Sequence, residues 1–123
     1  MIFNIPGTIY QYDLIVALDI ENDPLKKYVK RHCNLTDTDI KALDDFAPSN
    51  RGRCVMLECG VTVIRLKTRD KYELLGTIAH EVFHFVTFVF YKVGIEYQLN
   101  VSDEAFAYML GYYTKMVTRK LKL

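Results

Sequence analysis

Between Tyr12 and Ile20 the chain reads Tyr-Asp-Leu-Ile-Val-Ala-Leu-Asp-Ile. A short apolar run rich in branched side chains and bounded by polar positions predicts a strand inside a sheet. Asp23-Pro24 places a capping carboxylate ahead of a proline at the first helical position. Leu25, Tyr28, Val29 and His32 then recur at helical spacing, predicting a short amphipathic helix. Thr36 to Asp39 supplies capping oxygens before Ile40, Leu43 and Phe46, a second short helix that the loop Pro48-Ser49-Asn50-Arg51-Gly52 ends. Cys54–Glu58 and Val61–Leu66 read as two strands joined by a tight reversal at Cys59-Gly60, an antiparallel hairpin.

Asp70 and Glu73 stand as N-cap and N3 of a capping box, and the helical pattern then runs unbroken to Gly94. Leu74, Leu75, Ile78, Val82, Phe83, Phe85, Val86, Phe88, Val89 and Phe90 make this helix apolar around most of its circumference, the mark of a central core helix. A connector from Ile95 to Val101 leads to Ser102-Asp103-Glu104, which opens the last helix with a hydroxyl and two carboxylates. Glu104, Ala107, Tyr108, Gly111 and Lys115 share one face of that helix. The small Ala107 and Gly111 predict that this face meets the central helix closely and carries Glu104 towards it. The pattern as a whole predicts an α+β domain over residues 1–123. A small mixed or antiparallel sheet has helices packed on one face, and the two long C-terminal helices come last.

Composition narrows the partners. A chain of 123 residues, half of them hydrophobic, suffices for one core. A net charge of +1 gives no field selective for nucleic acid or an anionic membrane. The basic end at Lys115, Arg119, Lys120 and Lys122 is what a helix C-terminus attracts by its dipole. Cys33, Cys54 and Cys59 are odd in number and lack Cys-x-x-Cys spacing, which fits a reducing, cytoplasmic setting without a disulfide framework. No secretory leader is visible at Met1–Pro6, and the uncharged runs Val82–Tyr91 and Ala105–Thr114 fall below the roughly 18 residues of a membrane span.

The chemistry is concentrated in Thr77-Ile78-Ala79-His80-Glu81-Val82-Phe83-His84. Two histidines four apart on a helix project from one face, within reach of one metal ion, and the glutamate beside the first is placed to act on water the metal activates. Catalytic zinc takes three protein ligands and keeps one position open. The remaining histidine, His32, belongs to an early helix, so a carboxylate of the last helix is the expected third donor, Glu104 first and Asp103 as the alternative. Two imidazoles and a carboxylate suit Zn2+ among common ions.

His80-Glu81-Val82-Phe83-His84 followed twenty positions later by Glu104 resembles the gluzincin metallopeptidases, in which a downstream helical Glu is the third ligand. Asp103-Glu104-Ala105 is similar to the Asn-Glu-Ala of their thermolysin-like branch, and the whole chain resembles short bacteriophage-encoded proteins described as candidate metallopeptidases. The resemblance covers roughly residues 70–115 and lacks the helical lobe that forms the other cleft wall in large gluzincins. It implies a small zinc peptidase acting on a peptide or protein substrate, with His80, His84 and Glu104 as ligands. Glu81 takes the proton of the attacking water and passes it to the leaving amine. No histidine is left to stabilise an oxyanion, so that role falls to Tyr108, Tyr112 or Tyr113, Tyr108 first because it shares the face of Glu104. The strand Val61–Leu66 is the candidate edge for an extended substrate. Two other accounts stand beside the peptidase: a binding or assembly module that keeps the metal without catalysis, and a structural protein without metal.

Overall fold

The computed structural model describes all 123 residues. In chain order it contains strands β1 (Ile2–Ile5) and β2 (Leu14–Leu18), helices α1 (Asn22–Val29) and α2 (Asp37–Asp44), strands β3 (Gly52–Met56) and β4 (Thr62–Leu66), and helices α3 (Lys71–Val93) and α4 (Asp103–Lys120). The four strands form one sheet in the order β1-β2-β4-β3. β1 is antiparallel to β2, β2 is parallel to β4, and β3 is antiparallel to β4, so the sheet is mixed and the fold is α+β.

Alternation along the strands sorts the core in two. Leu14, Val16, Ile64 and Leu66 point to the face covered by α3 and α4, where they meet Ile78, Val82, Phe85, Phe90, Tyr113 and Val117. Ile15, Ala17, Val55 and Val63 point the other way, against Leu25 and Val29 of α1 and Leu43 of α2. Helices therefore cover both faces, whereas the sequence suggested one. The early helices are short, but Leu25, Val29 and Leu43 are fully buried, and each such side chain contributes on the order of 1.5–3 kcal/mol.

The inner strands are β2 and β4. All five residues of β4 are buried and paired on both sides, so the segment expected as an edge is central. The free edge beside α3 belongs to β3. Its hairpin with β4 turns at Gly60, whose φ of 99° is open to glycine and costly for a side chain. β1, which the apolar pattern did not mark, closes the opposite edge.

Arg65 is a charged residue in the central strand, only 3% exposed. Its guanidinium donates to Asn22 Oδ1 (2.7 Å), Leu43 O (2.8 Å) and Ile20 O (2.6 Å) and lies 4.5 Å from the Phe46 ring centroid. It thus clasps α1 and α2 to the sheet with acceptors that replace lost water.

Local signals fix the start of α2 and both ends of α3. Asp70 accepts from the N–H groups of Tyr72 and Glu73, and Gly94 ends α3 in the left-handed conformation at φ 79°. Thr36 and Asp39 form a reciprocal capping box on α2. Helix α3 alone has the length and apolar composition to cross a membrane, and here it is the core helix, with Phe85, Val86, Val89 and Phe90 buried.

Candidate metal centre on the core helix

His80 and His84 stand one turn apart on α3, both exposed, with Nε2 atoms 3.2 Å apart. Two nitrogens bound at about 2.0–2.1 Å to one tetrahedral ion stand about 3.3 Å apart, so the pair has the spacing of two ligands to a single metal. Glu81, next on the helix, turns the other way and is 6% exposed. Its Oε1 lies 4.0 Å from His80 Nε2, beside the pair rather than within it. Burial raises its carboxyl above the ordinary carboxylate range, with His80, His84 and Arg53 opposing the shift. Glu81 makes no hydrogen bond inside the chain, which leaves its oxygens free for a proton transfer.

The packing of α3 on β3 positions that carboxylate. A Cβ added to Gly52 would stand 3.1 Å from Glu81 Cγ and 2.6 Å from Thr77 Cγ2, so the absence of a side chain at Gly52 lets the helix cross the strand at the level of the motif. Here a groove of about 480 Å³ is lined by Arg51, Gly52, Glu73, Gly76, Thr77, His80 and Glu81, with no apolar side chain. Leu57 N–H donates to Val61 O and Lys67 N–H to Arg51 O, so odd-numbered residues of this strand face β4. By the alternation of an antiparallel ladder, Gly52, Cys54 and Met56 direct their N–H and C=O groups to the open edge.

The structure does not bring Glu104 to the histidines. Helix α4 runs antiparallel to α3, with the rings of Phe85 and Tyr113 4.8 Å apart and those of Phe90 and Phe106 4.3 Å apart. On that register Glu104 lies level with the last turn of α3. The helix continues nine residues past His84 to Val93, so the offset is roughly 13 Å along the axis at about 1.5 Å per residue. The face is wrong as well. Glu104, Ala107, Tyr108, Gly111 and Lys115 are exposed, and a Cβ on Gly111 would meet nothing within 4 Å. α4 packs instead through Phe106, Met109, Leu110, Tyr113, Met116, Val117 and Leu121, because burying these large side chains stabilises more than the close approach of two small ones. Asp103, the alternative ligand, begins the same helix and is equally remote. Tyr108 is 76% exposed at the far end of the helix pair, Tyr112 is exposed beside it, and Tyr113 is buried against Phe85. None of the three tyrosines is directed to the histidine pair.

No third His, Cys, Asp or Glu joins His80 and His84. His32 lies beyond the end of α1, exposed, 5.2 Å from the Tyr28 ring, on the opposite face of the sheet. The donors present fit two imidazole ligands with a carboxylate alongside, and other coordination positions are left to solvent or substrate. The features beside the histidine pair that the sequence did not disclose are Gly52 and the β3 edge. Gly52 carried the only available signal, a glycine at the start of a strand.

No protein-family model, curated protein or solved structure matches the chain.

Proposed function

We infer that this protein is a zinc-dependent hydrolase, a small peptidase in which His80 and His84 hold the metal and Glu81 is the general base. The observation that carries this reading is the 3.2 Å separation of the two Nε2 atoms on the exposed side of α3, with a buried carboxylate beside them. Zinc at such a site supplies Lewis acidity and lowers the pKa of water towards about 7. Glu81, partly desolvated and free of internal hydrogen bonds, has a proton affinity suited to taking a proton from water and returning it to the leaving amine. The open edge of β3 supports a peptide substrate, since Gly52 and Cys54 offer main-chain groups next to Glu81 for an added extended strand. The groove's charged and polar lining favours polar side chains at the position over Gly76 and Thr77.

The test is Glu81→Gln in zinc-loaded protein, assayed against a fluorescence-quenched peptide library. Zinc content stays at that of the wild type and hydrolysis falls by at least a hundredfold. Equal activity in the variant removes Glu81 as base.

One observation favours a second reading, a metal-bearing binding module without catalysis: a single chain gathers two protein ligands, where catalytic zinc commonly has three. Stoichiometric capture of a peptide on the β3 edge, with zinc bound and no cleavage by the wild type, selects that reading.

A further inference from the structure

On the other side of α3 from the histidines, a cavity of about 440 Å³ lies between the loop that joins β1 to β2, the C-terminal half of α3 and the start of α4. No charged residue lines it. Five of the chain's nine tyrosines do: Tyr10, Tyr12, Tyr108, Tyr112 and Tyr113. None of their hydroxyls hydrogen-bonds within the chain. The Tyr113 residue is only 4% exposed, yet its hydroxyl oxygen is not sealed from solvent, so it stays open to a hydrogen-bonding group in the cavity.

The walls are built before anything enters. Asp13 accepts from Gly7 N–H (3.0 Å) and from Asn4 Nδ2 (3.2 Å), which pins the loop, and Tyr10 and Tyr12 pack edge-on against Phe90 and Phe88. Pre-formed apolar cavities of about 300–1,000 Å³ with a few polar groups are the form that small-molecule sites take. The lack of charge excludes an ionic ligand by desolvation cost, and flat phenol faces with unused hydroxyls suit a flat apolar body bearing hydrogen-bonding groups.

We propose that this cavity is a binding site for a small neutral aromatic molecule with at least one hydrogen-bonding group, which the Tyr113 hydroxyl engages. The site is independent of the metal centre, since α3 separates the two.

The experiment uses the full chain and the neutral fluorophore N-phenyl-1-naphthylamine. Its emission rises saturably with one site per chain, and amide shifts on titration cluster in residues 7–12 and 105–113. Ala105→Phe, at an exposed helix position on the cavity wall, abolishes the saturable signal, and Tyr113→Phe weakens it about fivefold. Chelator and His84→Ala leave it unchanged. The proposal is overturned by non-saturable binding, by shifts centred on the exposed Leu99 and Val101 instead, or by full affinity in a folded Ala105→Phe protein. Should that variant unfold, Ile9→Asp at the exposed mouth of the cavity gives the same reading.

Discussion

Gly52 and Glu81 meet where β3 passes beneath α3, with 3.1 Å between Glu81 Cγ and the place a Cβ would occupy on Gly52. The contact ties Glu81, the proposed general base, to the sheet, while His80 and His84, the proposed metal ligands, stand on the solvent side of the same helix. Gly52→Ala forces Thr77 and Glu81 to move, because its methyl would lie 2.6 Å from Thr77 Cγ2. We expect a loss of about 1–3 kcal/mol in urea unfolding, as for other overpacked sites, with zinc still bound and peptide hydrolysis reduced.

Glu81 is 6% exposed, makes no hydrogen bond within the chain, and is desolvated enough to raise its carboxyl above the ordinary range, which disfavours the charged form in the folded state. Metal-free Glu81→Gln protein should therefore be at least as stable as the wild type at pH 8, and more stable by on the order of 1 kcal/mol where the amide finds a partner. Thermal melts in chelator check this. A clear destabilisation would instead make Glu81 a structural residue.

Asp19 provides a pH signature far from the site. Its carboxylate accepts from Thr68 N–H (2.9 Å) and from the Thr68 hydroxyl, and these bonds hold its pKa below the ordinary value of 3.8. A carboxyl depressed on folding stabilises at pH values above its unfolded pKa, and that contribution is lost as pH falls through the folded one. Asp19→Asn also tolerates the left-handed backbone at φ 55°, so the substitution isolates the charge. Its melting temperature should lie below that of the wild type at pH 7 and converge with it as the pH falls below 3.8 and through the lowered folded-state pKa.

The thiols should separate by reactivity. Burial pushes the Cys54 thiol up to about 12, with the Glu81 charge adding to the shift, whereas Cys59 is exposed at the hairpin turn. Iodoacetamide at pH 8 should label Cys59 in the native protein and Cys54 only once urea unfolds it, read by mass spectrometry of the peptides.

What the sequence disclosed was local. The strand at Leu14–Leu18, the hairpin turning at Gly60, and the limits of α3 at Asp70 and Gly94 each follow from a few neighbouring residues. So does the convergence of His80 and His84, a property of one helical turn. β1 escaped because four residues, Ile2–Ile5, make too short a run to stand out. The misplacement of Glu104 has a non-local cause. Helix α4 carries both a small-residue stripe at Ala107 and Gly111 and an apolar stripe through Phe106, Tyr113 and Val117, and periodicity alone does not say which one packs. How far α3 runs beyond His84 then decides whether a carboxylate twenty residues downstream can return. Strand order is non-local too, and it gave the edge to β3 rather than β4.

The pairing of His80 with His84 around one ion is tested most directly by zinc content per chain, measured by elemental analysis after dialysis against a zinc buffer. The account predicts one zinc in the wild type, none in His80→Ala or His84→Ala, and one in Glu104→Ala. Zinc retained by both histidine variants, or lost on removing the Glu104 carboxylate, would contradict it.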